Sequence, residues 1–309
     1  MSAGWIAGSV RARLLVAERR LVVEGTRHLA ECASLGDALV QLGRSPYRRH
    51  VELDLRLDEA QHALAEKTLV DLRLLAGWLP RDAMGLLRAL SAWYELANIE
   101  DRVAYFDGAP LRTPFELGSL AVAWPQAAQT QSLEELRRVL GRSAWGDPGD
   151  TSGTTAGLGL RLAWARRVAA ESPAAAHWAA GAAALLLARE IFVVGLPVET
   201  LTLPKLTLLG ERWQTAGTLP RLVESLPATA AWAFAGVAEA GDLWRAEAGW
   251  WRRVEAEAQG LMHSTSAGPE VVTGAVALLA ADAHRAAAAL AAVGRHGLAG
   301  VEEAFDVAA

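Results

Sequence analysis

Residues 34–47 read SLGDALVQLGRSPY, and residues 132–145 read SLEELRRVLGRSAW. Ser34, Leu35, Leu42, Gly43, Arg44 and Ser45 recur as Ser132, Leu133, Leu140, Gly141, Arg142 and Ser143, an offset of 98, and the aromatic Tyr47 recurs as Trp145. Self-similarity at a long period is the mark of a fold built from repeated units, and it decides the architecture before any single motif does. A third copy starts at Leu219 with LPRLVESLPATAAW, where Leu226 follows Leu140 by 86. The stretch WARRVAAE at 164–171 returns as WWRRVEAE at 250–257, again at an offset of 86. The first copy has no such sequence at the equivalent place, around Glu66.

Three helical modules follow, over residues 1–110, 111–210 and 211–309, joined in one continuous domain. Similar helical units bury similar faces against one another, so the expectation is a ring or solenoid with one concave, protein-binding side. The Trp-x-Arg-Arg-Val pair reads as a core tryptophan beside solvated arginines.

The composition agrees with an all-α fold. Alanine, leucine and arginine dominate, all strong helix formers, while lysine occurs only as Lys67 and Lys205. Between Leu55 and Leu79 apolar residues fall at Leu57, Ala60, Leu64, Leu69, Leu72 and Leu75, a mostly three-to-four spacing on one helical face. Ser45-Pro46, Leu79-Pro80-Arg81-Asp82 and Asp107-Gly108-Ala109-Pro110 each pair a turn former with proline and end helices. Residues 146–155, GDPGDTSGTT, lack large apolar side chains and predict an exposed, mobile loop, and a second loop is expected over 263–268.

Several function classes lose their footing on composition alone. Acidic residues outnumber basic ones by 35 to 30 for a net charge of -5, so no positive field marks a nucleic-acid partner. The lone Cys32 forms neither an internal disulfide nor a cysteine cluster for zinc, and a reducing cytoplasmic setting is expected. Arg11, Arg13, Arg19 and Arg20 interrupt the first 20 residues, unlike a signal peptide. The apolar run 174–188 reads as a buried helix, and 271–293 carries Asp282, His284 and Arg285 near its centre, so neither is expected to cross a membrane.

Reactive constellations are equally sparse. There is no G-x-x-x-x-G-K-[ST] phosphate loop and no H-E-x-x-H. His28 stands four residues before Cys32, but two ligands do not close a zinc site. His263-Ser264-Thr265-Ser266 lacks the strand-to-helix elbow of a hydrolase nucleophile. The acidic residues are too dispersed for an aspartate-rich magnesium helix, Asp54 and Asp58 being the nearest approach. No catalytic residue, cofactor or metal is expected.

One polar group does stand out. Glu95, Asn98 and Asp101 lie three residues apart in YELANIEDRVAYF, with Arg102 four residues after Asn98. The pattern suits either the polar face of an amphipathic helix or a buried network fixing how this helix meets its neighbours, because a buried Asn98 needs hydrogen-bond partners. Glu190 and Asp282 occupy loosely corresponding places later in the chain, without the asparagine.

At three places the chain resembles the C subunit of archaeal and bacterial A/V-type ATPases, the counterpart of the d subunit in the eukaryotic V-ATPase. Val10-Arg11-Ala12 with Leu14-Leu15 is similar to that family's Arg-Val-Arg-Ala opening helix, with Ser9 where the first arginine is usual. Leu42 to Tyr47 resembles its leucine, hydroxyl, tyrosine turn, and Glu95, Asn98 and Ile99 resemble its acidic-x-x-Asn-Ile helix, with Glu100-Asp101 where a basic residue is common. The resemblance implies an all-α, pseudo-threefold funnel that catalyses nothing. It implies a central-stalk component at the cytoplasmic face of the membrane, joining the rotor shaft to the proteolipid ring and transmitting torque for ion, in particular proton, transport. Arg44, Tyr47, Arg142 and Trp145, at the module turns, are the expected partner contacts, together with the loop 146–155. A helical-repeat adaptor with a different protein partner remains the alternative.

Overall fold

The computed structural model describes residues 2–148, 153–198, 207–210 and 212–294, with the side chains of 153–156 outside that description. The described residues form helices joined by turns, with no strand among them. In chain order the helices are α1 (Ala3–Glu18), α2 (Val22–Ala30), α3 (Leu35–Leu42), α4 (Leu57–Ala76), α5 (Met84–Phe106), α6 (Trp124–Ala127), α7 (Leu133–Gly141), α8 (Gly153–Glu171), α9 (Ala176–Arg189), α10 (Leu219–Ser225), α11 (Ala228–Ala231), α12 (Leu243–Met262) and α13 (Pro269–Gly294).

The breaks fall where proline and glycine place them. Trp78 and Leu79 close α4 and Pro80 precedes a short 3-10 turn, Arg81–Ala83, into α5. After α5 the chain turns at Gly108, whose φ of +94 is open to glycine at no steric cost. The loop expected over 146–155 is shorter than its composition suggests: Gly153 to Thr155 already belong to α8, and 149–152 lie outside the described residues. Residues 263–268 join α12 to α13 as expected.

The chain divides into two compact units, residues 1–87 with 251–309, and residues 88–250. These limits differ from module boundaries at 110 and 210, for a packing reason. In the first unit the C-terminal helix α13 lies against α1, α2 and α4 of the N-terminal segment, and its apolar residues Ala286, Ala289 and Leu290 share a core with Leu29, Leu39, Leu42, Tyr47 and Leu64. Gly274 of α13 lets α12 approach closely, since a Cβ there would stand 2.8 Å from the Ala258 carbonyl oxygen of α12.

In the second unit Leu96, Ile99 and Val103 of α5 share a core with Leu136 and Leu140 of α7, Trp145, and Leu160 of α8. There α9 packs against α8 and α11. Gly181 of α9 faces two tryptophans, a Cβ at that position falling 3.0 Å from Trp232 and 3.1 Å from Trp250. The segments Pro173–Val194 and Pro269–Gly294 are long and apolar enough to cross a bilayer, yet 61% and 56% of their most apolar windows are buried within the fold. Both are core helices of their units, and α13 also buries Asp282 and Arg285.

Candidate functional site

The repeated sequence produces a repeated local geometry. Ser34 caps α3 by accepting from the Asp37 N–H at 3.2 Å, and Ser132 caps α7 by accepting from the Glu135 N–H at 3.2 Å. At the far ends Ser45 Oγ donates to the Leu42 carbonyl and Ser143 Oγ to the Leu140 carbonyl, both at 2.7 Å. Each hydroxyl then accepts from the N–H two residues on, Tyr47 or Trp145, at 3.1 Å. A single serine thereby finishes the helix and turns the following aromatic inward.

The third copy agrees at its start and departs at its end. Thr218 stands 86 residues after Ser132 in the same extended conformation and opens α10. The closing contact, Ser225 Oγ to the Leu222 carbonyl at 2.7 Å, comes one turn early, so Leu222 and not Leu226 matches Leu140. Pro227 explains the shortening, because the residue before a proline is pushed out of the helical region, and Leu226 is extended with ψ 148.

Tyr47 and Trp145, expected as partner contacts beside exposed turns, are instead 0% and 1% exposed. Their polar ends serve buried carboxylates. Trp145 Nε1 donates to Glu95 Oε2 at 2.9 Å, while Glu95 Oε1 accepts from the backbone N–H groups of Val122, Ala123 and Trp124 at 2.7 to 2.8 Å. That carboxylate caps the start of α6, where unpaired N–H groups favour an anion. In the other unit Tyr47 Oη donates to Asp282 Oδ2 at 3.0 Å, and Asp282 accepts from the Leu21 and Val22 N–H groups, at 2.9 and 2.8 Å, at the start of α2. The same device, an acid on a long helix clasping a helix start and a turn aromatic, is built twice.

Each aromatic ring also carries a cation on its face. Lys67 Nζ lies 4.4 Å from the Tyr47 centroid, and the Arg167 guanidinium 4.9 Å from that of Trp145. Lys67 is 3.0 Å from Asp71 and donates to the Arg19 carbonyl, and burial pushes its ammonium below the usual lysine range although Asp71 pulls the other way. Burial likewise lowers the Arg167 pKa, against the pull of Glu95. Arg167 therefore departs from the solvated arginine expected of the Trp-x-Arg-Arg-Val stretch, whereas Arg252 and Arg253 are exposed and Arg253 pairs with Glu257 at 2.8 Å.

Around Asp282 the charges form a network. Arg20 reaches Glu255 at 3.0 Å, Arg285 bonds the same carboxylate, and both guanidinium groups lie within 3.6 to 3.9 Å of Asp282. His284 stacks on Trp251 with centroids 4.5 Å apart, and although part of the residue is exposed, desolvation of the stacked ring, with Arg285 nearby, lowers its pKa to about 4.

Of the four polar residues expected on α5, Glu95, Asn98 and Arg102 are buried, and each holds a different stretch of backbone. Asn98 pairs with the backbone of Phe115 in both directions, Nδ2 donating to its carbonyl at 3.0 Å and Oδ1 accepting from its N–H at 2.7 Å. Arg102 donates to the Thr130 carbonyl and lies over the rings of Tyr105 and Phe106. Asp101 is the exception: its side chain is one-third exposed and sits 3.7 Å from Arg112, so the buried stripe is 95, 98 and 102. Arg44 and Arg142 are exposed.

Sequence reasoning missed the partners of the aromatics. The signals were present in Lys67, a lysine set among Leu64, Leu69 and Leu72 in an arginine-rich chain, and in Asp282 inside an apolar run. Glu95 and Asp282 meet N–H and O–H donors in fixed positions, an arrangement that holds backbone in place.

No family model and no curated protein matches this chain. Its chemistry is therefore read from its own residues.

Proposed function

We propose that this chain is a non-catalytic coupling component of a V/A-type rotary ATPase, akin to the C subunit of the central stalk, between the soluble rotor shaft and the membrane proteolipid ring. The observation that carries the reading is the acid, aromatic and cation clasp built twice on repeated sequence. Glu190, 7% exposed and near the end of α9, stands 95 residues after Glu95 and 92 before Asp282. In this reading it is the acid of a third module, in which its Oε2 has no hydrogen-bond partner among the described residues, and three modules make the pseudo-threefold funnel of the proposal. Rigid modules suit a part that must turn without deforming, because a clasp that holds backbone N–H groups on a buried carboxylate resists shear between helices.

In this reading the concave side receives the shaft and the opposite face rests on the ring, which places the protein at the cytoplasmic face of the membrane without spanning it. Arg44 and Arg142, exposed at the repeated turns, are the proposed contacts. The test is affinity purification of the tagged chain from its own cells in mild detergent, with mass spectrometry of what accompanies it. Recovery of a proteolipid with shaft and ATPase subunits is expected. The chain alone, or in company of unrelated proteins, overturns the proposal and favours a helical-repeat adaptor.

A further inference from the structure

The first helix, α1, carries apolar residues on both sides, and only one side is covered. Gly8, Ser9, Ala12 and Leu15 are buried. A Cβ on Gly8 would stand 2.5 Å from the Leu79 side chain, Ser9 Oγ accepts from the Gly268 N–H at 2.9 Å, and Arg13 donates to the Met262 and Ser264 carbonyls. The exposed residues of the helix are Ala3, Ile6, Val10, Leu14, Ala17 and Glu18. The first five recur every three or four positions and so form one stripe along the helix. Ile6, Val10 and Leu14 are 50, 51 and 42% exposed, and Trp78, whose carbonyl lies beside Gly8, is 54% exposed. Single apolar residues scattered over a surface are ordinary, but a continuous stripe of them marks a contact.

The stripe reads the same in both directions. Its spacings are three, four, four and three, so two antiparallel copies related by a twofold axis at Val10 set matching positions against each other. Val10 meets Val10, Ile6 of one copy meets Leu14 of the other, and Ala3 meets Ala17. A twofold contact demands this self-complementarity, and the alanines at both ends let the helix axes close. The charges agree with it. Glu18 then stands opposite position 2, at the start of the other copy's α1, where Ser2 supplies no side-chain cap and the first turn holds no acid. Uncapped N–H groups at a helix start favour a carboxylate, and the symmetry makes this contact twice.

We infer that the free chain pairs with a second copy of itself through α1, the two helices running antiparallel about a twofold axis at Val10. A contact one helix long, about 24 Å for 16 residues, covers less than the roughly 800 Å² per partner of a standard interface, so the pair is weak and depends on concentration. The inference concerns the chain by itself and holds whether or not it serves a rotary ATPase.

The test is sedimentation equilibrium of the full chain between about 1 and 500 µM, where a reversible monomer–dimer equilibrium is expected with Kd on the order of 10 to 100 µM. Val10→Arg sets two like charges on the axis from an exposed position and should weaken pairing at least about tenfold while the melting temperature stays put. Glu18→Lys turns the favourable end contact into a repulsive one and should weaken pairing about threefold or more. Direction is read by cross-linking in a Cys32→Ser background, which removes the lone native thiol. Val10→Cys should form a disulfide dimer on mild oxidation, and Ile6→Cys mixed with Leu14→Cys should cross-link faster than either variant alone. If Cys32→Ser disturbs folding, sedimentation of the first two variants still decides. A chain that stays monomeric over the whole range, a dimer indifferent to Val10→Arg, or Ile6→Cys cross-linking best to itself overturns the inference. A monomer that binds phosphatidylcholine vesicles, with the binding lost in Val10→Arg, also overturns it and gives the stripe to a bilayer.

Discussion

Tyr47 donates its hydroxyl to Asp282 at 3.0 Å across a separation of 235 positions in the chain. The bond joins the turn after α3 to the middle of α13, and the same oxygen also accepts the Leu21 N–H at the start of α2. Tyr47→Phe should cost about 1 kcal/mol, since one hydrogen bond goes and Asp282 keeps its backbone donors. Asp282→Ala should cost on the order of 3 kcal/mol or more, because Arg20, Arg285 and two backbone N–H groups lose their acceptor together. Urea denaturation of both variants measures the two values, and a milder loss for the aspartate variant would contradict the clasp.

The equivalent bond between Trp145 and Glu95 allows a sharper test. In Glu95→Gln an amide NH2 meets either the indole N–H or the three backbone N–H groups, so a donor faces a donor and the variant should lose roughly 1 to 3 kcal/mol. Adding Trp145→Phe removes one of the conflicting donors. The double variant should then lose less than the sum of the two single losses by at least about 0.5 kcal/mol. Strict additivity in a double-mutant cycle would show that the indole does not depend on the carboxylate.

Lys67 and Asp71 form a buried pair in which each side chain is 2% exposed. Lys67→Met leaves Asp71 buried without its ion-pair partner and should cost about 3 kcal/mol or more, whereas Lys67→Met with Asp71→Leu removes both charges and should recover most of the loss. Denaturant midpoints of the two variants decide this, and a double variant as unstable as the single one refutes it.

Val22 sits at φ +57, the left-handed region that a β-branched residue adopts at a cost, and both oxygens of Asp282 hold the backbone there through Leu21 and Val22. The side chain is 47% exposed, so little packing offsets that strain. Val22→Gly should therefore be neutral or stabilising by up to about 1 kcal/mol, against a loss of roughly 0.5 to 1 kcal/mol for Val23→Gly in the adjoining helical position. Thermal melts of the two variants give the comparison, and equal destabilisation would remove the case for strain at Val22.

His284 supplies a pH dependence with a defined sign. Its folded pKa of about 4 lies below the ordinary value of 6.5, so between these the unfolded chain binds the extra proton. Its contribution is fully present above pH 6.5 and is lost as pH falls toward 4, and solvent screening at the exposed edge of the ring keeps the change below what the full shift implies. His284→Phe keeps a ring on Trp251 and should flatten this part of the stability curve across pH 7.5 to 4.5. An unchanged slope would place the titration elsewhere.

What the sequence determined by itself is what a few neighbouring residues decide. The all-α character, the helix ends at Pro80 and Gly108, and the capped helices of the repeat depend on dihedral preferences and on hydrogen bonds spanning two or three positions, such as Ser45 to Leu42 and Ser143 to Leu140. Glu95, Asn98 and Arg102 were visible for the same reason, since helical spacing places them on one face. The tertiary structure alone decided what they touch. Asp282 as partner of Tyr47, the cations over Tyr47 and Trp145, the burial of those two rings, and the pairing of residues 1–87 with 251–309 rest on contacts between positions far apart. Such contacts are selected by how apolar faces pack and by the need to satisfy every buried polar group, and no local pattern of residue types encodes them.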